Sequence, residues 1–238
     1  MLHPTKWMDG ESDPNSAVIY INRPAFSSGI PDVLAKVAAK RILLDGAANI
    51  YARRVIEGGH PIDLAIGDGD SIEKETIEYL NENNVAFHHD GDQYSTDLMK
   101  ALRYIRKAWP EITTAYVYNT PGGRADHSWH STYCLYFARE LGIELYLVCN
   151  ESVVMYIPPG TTEISTPMHL CGNTAGLLPL AGSSRITIRG FRWDVDDWET
   201  SILTRMSTSN IIDQNEVTVT ADKPMAFTVE LKPRSAKP

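Results

Sequence analysis

Two aspartates one residue apart, Asp68 and Asp70 in the run Gly67-Asp68-Gly69-Asp70-Ser71, are the pair in this chain best suited to chemistry. In an extended segment, side chains two apart point the same way, so both carboxylates can face one ion. Carboxylate oxygens are hard ligands that suit Mg²⁺, which commonly sits between a few of them and substrate phosphates. A plainer reading is open too: a turn in which Asp70 or Ser71 caps the next helix and Glu73 completes a capping box. A calcium EF-hand is excluded, because Ile72 and Tyr79 fall where that loop needs ligands.

Three more segments share this character. They are Asp45-Gly46-Ala47-Ala48-Asn49, the stretch from Asp90 through Asp92, Gln93, Tyr94, Ser95 and Thr96 to Asp97, and the run from Thr120 through Gly122, Gly123 and Arg124 to Asp126 and His127. Asp97 falls in the first turn of a helix, where the dipole favours a carboxylate whatever its role, and Ser95 and Thr96 are ordinary caps. The functional alternative has Asp97 join Asp68 and Asp70 around a metal, with Gln93 and Thr96 bonding phosphate oxygens. Gly122 and Gly123 let backbone approach a ligand at a helix N-terminus, and Arg124 offers a bidentate grip on phosphate. The Walker A lysine motif is missing. His127 and His130 have no further ligands at zinc spacing, nor do His88 and His89.

The elements that must position these loops alternate. Strands are expected at Ala17 to Asn22, Arg41 to Asp45, a run ending at Asp68, a short run through His88 and His89, Thr114 to Asn119 and Ile143 to Asn150. Helices fall between them: one from Pro31 through Lys40, one from Asn49 to Gly58, one through Glu75, one with Leu98, Leu102, Ile105 and Trp109 on one face, and one from about Asp126 to Leu141. That βα alternation predicts a mainly parallel α/β domain over residues 17–150, with all four polar loops on the edge where such sheets bind ligands. Residues 1–16 read as a polar, frayed leader. Beyond Asn150 the pattern changes to short alternating runs, Ser152 to Ile157, Arg185 to Val195, Asn215 to Ala221 and Ala226 to Leu231, separated by Pro and Gly turns. Residues 151–238 are therefore expected to form an antiparallel β-sandwich. In it, Ser207-Thr208-Ser209-Asn210 reads as a turn, and Trp193 as a core residue of a strand that could alternatively stack on a cationic ring.

The 238 residues carry a net charge of −8 with 43% hydrophobic content. The charge argues against a nucleic-acid partner, and the apolar content suffices for a real core. No apolar run is long enough to cross a bilayer, and the start lacks the apolar stretch of a secretory signal. Cys134, Cys149 and Cys171 are odd in number and widely spaced, pointing to buried free thiols in a reducing, cytoplasmic setting.

In order, LLDGAAN (from Leu43), IGDGDSI (from Ile66), DQYSTDLMKAL (from Asp92), GGRADH (from Gly122), LLPL (from Leu177), RGFRWDV (from Arg189) and STSN (from Ser207) resemble the thiamin pyrophosphokinase family. The resemblance implies Mg²⁺-dependent transfer of a diphosphate from ATP to thiamin by a homodimer whose sites are shared between subunits. It implies Asp68, Asp70 and Asp97 as catalytic and metal-binding residues. It places Asp45, Asn49, Ser71, Asp92, Gln93, Thr96, Arg124 and Asp126 on the ATP side, and Ser207, Ser209 and Asn210 on the thiamin side. Ala47, Gly69 and Tyr94 depart from the residues usual in that family. Two alternatives remain at this point: a nucleotide-sugar glycosyltransferase of the DxD type, and a non-catalytic thiamin- or nucleotide-binding regulator.

Overall fold

A computed structural model describes residues 1–24 and 29–232, and the chain divides into two compact units. One comprises Gly10–Cys149; the other joins Met1–Asp9 to residues 150–232.

The first unit is the expected α/β domain. In chain order it runs β1 (Asp13–Tyr20), α1 (Ile30–Val37), β2 (Ala38–Leu44), α2 (Ala47–Glu57), β3 (Leu64–Gly67), α3 (Lys74–Glu82), β4 (Phe87–His89), α4 (Asp97–Ala108), β5 (Thr114–Tyr118), α5 (Ala125–Glu140) and β6 (Glu144–Val148). The strands lie in the order β6-β5-β1-β2-β3-β4, every neighbouring pair parallel. Ala17 through Tyr20 are all buried, as befits a strand covered on both faces. Helix α4 packs against α5, β2 and β3 through Leu98, Leu102 and Ile105.

Two boundaries differ from expectation. Helix α1 stops at Val37, and Ala38 to Lys40 join β2 despite the helical propensity of alanine. The cause is Arg41, whose guanidinium donates to the carbonyls of Ala35 (3.2 Å), Ala38 (2.6 Å) and Ala39 (2.9 Å). It thereby satisfies acceptors that a longer helix would have used. Strand β1 begins at Asp13, inside the supposed leader.

The second unit holds β7 (Ser152–Ile157), β8 (Gly160–Ser165), β9 (Cys171–Pro179), β10 (Ser184–Arg189), β11 (Val195–Thr200), β12 (Ser207–Ile211), β13 (Glu216–Ala221) and β14 (Met225–Leu231). They form antiparallel sets in the orders β12-β9-β14-β7 and β11-β10-β13-β8, the expected sandwich. The run from Arg185 to Val195 is broken at Gly190, which has φ 92° and begins a turn closed by the Phe191 N–H donating to Asp194. Ser207 to Asn210 is not a turn but strand, paired with β9 across an irregularity between Ser207 and Asn210. The leader is not frayed. Leu2 donates to the Glu163 carbonyl and accepts from the Ser165 amide, and Trp7 is 1% exposed. Burial of that indole supplies the anchor that the polar composition concealed.

Candidate active site

Asp45 follows β2 directly, at φ 39° and 4% exposed. Its Oδ2 accepts the Ser71 amide at 3.0 Å, while its Oδ1 is buried with no hydrogen-bond partner among the described residues. Such an orphaned acceptor is costly unless something at the site completes it. Next to it, Gly67 ends β3; a Cβ there would come 2.5 Å from the Asp45 Cβ, so only glycine permits this approach. Asp68 and Asp70 come from the following loop, hinged at Gly69 with φ 81°. One carboxylate oxygen from each of Asp45, Asp68 and Asp70 lies within 4.8 Å of the others. Three hard oxygen donors from two loops, one with an unpartnered buried lone pair, fit a divalent cation such as Mg²⁺.

The surroundings brace this cluster. Asn49 donates from Nδ2 to the Ser71 carbonyl (2.9 Å) and accepts the Glu73 amide (3.0 Å), so its amide holds the loop. The Ser71 hydroxyl donates to Asp70 at 2.7 Å. That bond first of all keeps the Asp70 carboxyl below the ordinary aspartate range, whereas burial pushes Asp45 above it.

The Asp90–Asp97 loop is folded on itself. Asp92 accepts the Tyr94 amide (2.9 Å) and the Ser95 hydroxyl (2.6 Å), and Gln93 reaches Asp68 at 3.5 Å. Thr96 is the N-cap of α4, its hydroxyl accepting the Met99 amide. The compact triad contains Asp45 with Asp68 and Asp70, while Asp97, which the sequence also points to as a metal ligand, pairs with Lys100 at 3.1 Å. Asp97 still feels the cluster: burial first, and then the charges of Asp68 and Asp70, raise its pKa against the pull of Lys100. Lys100 is 3% exposed, and its charge adds to the Ser71 bond in lowering Asp70 and to the Ser95 bond in lowering Asp92. Sequence reasoning passed over this buried cation. The one available signal was its spacing, three residues after Asp97, which places the two side chains together on a helix.

In the fourth loop, Arg124 forks onto Asp126 with bonds of 3.1 and 2.5 Å, both side chains exposed. Gly122 (φ 143°) and Gly123 (φ 72°) precede them, and the Gly122 amide donates to the Ser128 hydroxyl at 2.9 Å.

Within the sandwich, Trp193, Trp198, Met206, Ser207 and Asn210 line a cavity of about 270 Å³. Asn210 accepts the Trp193 amide (3.3 Å) and donates to its carbonyl (3.0 Å), so it clamps the turn that carries the indole. Trp193 is not a core residue: it is 57% exposed at this cavity, because Gly190 turns the chain out of the strand. Ser209 is exposed at φ 56°, beside the cavity-lining Thr208.

Carboxylates gathered at the strand ends of a parallel α/β unit, with a β-sandwich following in the chain, suit an enzyme that handles phosphates through a divalent cation. Residues 32–147 match the family model "Thiamin pyrophosphokinase, catalytic domain", and residues 161–226 match "Thiamin pyrophosphokinase, vitamin B1 binding domain". The chain belongs to the thiamin pyrophosphokinase family. It is 28% identical to thiamine pyrophosphokinase 1 of Arabidopsis thaliana, over 98% of this chain and 94% of that one. It is also 28% identical to thiamine pyrophosphokinase 1 of Oryza sativa subsp. japonica, over 91% and 87%. In fold it resembles the yeast thiamin pyrophosphokinase crystal structure, with TM-score 0.85 at 21% identity over 97% of this chain and 90% of that one. The Candida albicans enzyme gives TM-score 0.84 at 20% identity over 97% and 92%. These findings do not favour the glycosyltransferase or regulator alternatives.

Proposed function

We propose that this chain transfers the two terminal phosphates of ATP together to the hydroxyl of thiamin. The thiamin oxygen forms a bond to the β-phosphorus, the bridge from the β-phosphorus to the α-phosphate oxygen breaks, and AMP leaves. Thiamin diphosphate is the other product, and the hydroxyl proton passes to a base. Asp45, Asp68 and Asp70 would hold Mg²⁺, which supplies neutralisation of charge on the phosphates. The observation that carries this reading is the convergence of those carboxylates around a buried, unpartnered Asp45 oxygen. Asp97 lies beside them with its charge partly offset by Lys100, and would complete the acidic side of the metal site. Thr96 and Gln93, with the Arg124–Asp126 turn, would orient the nucleotide, and most of the rate would come from such positioning. On the sandwich, Ser207 and Asn210, beside Ser209, would receive thiamin, with Trp193 offering its ring face to the cationic thiazolium.

The reading includes a homodimer, in which the α/β unit of one subunit and the sandwich of its partner complete each site. Leu203, 90% exposed, and Ile202 next to it are apolar surface consistent with burial in such an assembly. Three buried cysteines outside any disulfide accord with a cytoplasmic setting, and no helix among the described residues is long and apolar enough to cross a membrane. Chromatography of ATP and thiamin incubated with the protein, with and without Mg²⁺, tests the reaction. Equal amounts of AMP and thiamin diphosphate, formed only with the metal, are expected; ADP formation or unchanged thiamin would overturn the proposal.

A further inference from the structure

The parallel sheet reverses its direction of growth between β1 and β5: β2, β3 and β4 extend from one side of β1, β5 and β6 from the other. The crevice at the strand ends of such a reversal is where open α/β sheets place ligands. Residues 22–24, leaving β1 there, touch both neighbouring loops. The Asn22 amide lies on the aspartate loop so closely that a Cβ at Gly46 would come 2.9 Å from its Cγ. Arg23 lies on the glycine turn: its Nη1 donates to the Asn119 carbonyl at 3.0 Å, and a Cβ at Gly122 would come 2.7 Å from the guanidinium carbon. The contact is reciprocated, since Asn119 donates from Nδ2 to the Pro24 carbonyl at 2.7 Å. The Tyr51 hydroxyl fixes the same backbone by donating to the Arg23 carbonyl at 2.9 Å. That tyrosine is itself held in an aromatic cluster with Tyr20 and Tyr118, ring centroids 4.8 and 6.0 Å away.

We propose that Arg23 is a positioning residue for nucleotide binding, holding the Gly122–Gly123 turn at a fixed place relative to the aspartate loop. Two consecutive glycines in the left-handed region give that turn little rigidity of its own beyond the bonds between Gly122 and Ser128. A planar guanidinium laid against bare backbone supplies what the turn lacks. The fork of donors matters as well as the charge, so lysine is not an equivalent. The inference rests on the reading that this turn and the start of α5 receive ATP.

The test is binding of a non-hydrolysable ATP analogue with Mg²⁺ by calorimetry, together with steady-state kinetics on the full chain. Arg23→Gln is expected to raise the analogue Kd and the ATP KM about tenfold, with kcat and the thiamin KM within about twofold of wild type. Arg23→Lys should recover little of the loss. Tyr51→Phe, which removes the hydroxyl that holds the Arg23 carbonyl and leaves the guanidinium in place, should show the same selective defect in milder form even if the Arg23 variants fold poorly. An unchanged analogue Kd in Arg23→Gln or Tyr51→Phe overturns the inference. So does full recovery in Arg23→Lys, or an equal loss in kcat and both KM values. Failure of the wild-type chain itself to bind the analogue would instead overturn the functional reading beneath it.

Discussion

Asp70 is the aspartate at which fold and function separate most cleanly. Its side chain is exposed and bonded to Ser71, so Asp70→Asn should leave the thermal midpoint within about 3 °C of wild type. Turnover should fall by at least about a hundredfold, since one of three ion-facing carboxylates is lost. Near-normal kcat at saturating Mg²⁺ would remove Asp70 from the site. A second outcome concerns pH. Asp45 and Asp97 are both raised above the ordinary 3.8, so as pH falls they take up protons before most carboxylates. In the metal-free protein, protonation of the raised groups relieves a penalty, and their contribution to folding stability grows as pH falls from their folded values toward 3.8. Ion affinity should move the other way, because a protonated Asp45 is a poor ligand. Mg²⁺ titrations from neutral pH toward pH 4 should weaken steadily, and less so in Asp45→Asn. Flat affinity across that range would contradict the placement of Asp45 at the ion. At this scale the sequence showed which loops matter better than which carboxylates converge. Asp97 at a helix start looks like any capping acid, and its engagement by Lys100 depends on α4 being packed against α5, β2 and β3.

Strand ends are the elements that bring the site together, and Gly67 is where two of them come closest. Gly67→Ala places a methyl 2.5 Å from the Asp45 Cβ. The overpacking should cost about 1–3 kcal/mol, read from urea unfolding, and should raise the Mg²⁺ needed for half-maximal rate. Wild-type stability and metal dependence together would show that β2 and β3 tolerate separation. The inner parallel strands were plain in the sequence because both their faces are buried, leaving unbroken apolar runs such as Ala17 to Tyr20. Strands β8, β9, β11 and β12 were not plain. Thr161, Thr162, Asn173, Asp196, Asp197 and Ser207 to Ser209 make them look like loops, and the antiparallel partners that order β8, β9 and β12 are far off in the chain, whereas β11 folds back on β10 beside it. The same remoteness hid the cavity role of Trp193, which depends on a turn at Gly190 and a clamp from Asn210.

Across the whole molecule, the unit that contains β7 to β14 also takes in Met1–Asp9. Deleting those nine residues should therefore weaken the sandwich and leave the α/β unit intact. Hydrogen exchange can locate the damage: the Ser165 amide, which donates to the Leu2 carbonyl at 2.9 Å, should lose protection, while amides of β2 and β5 keep theirs. Uniform loss across both units, or none at Ser165, would contradict this. The arrangement also sets an order of assembly during translation. Trp7 is made well before its sandwich partners, and a complete α/β sheet can form in the interval. The indole must therefore wait, unburied, while about 140 residues are added, ten seconds or so at common ribosomal speeds. A chaperone that captures nascent apolar side chains would find Trp7 available through that interval.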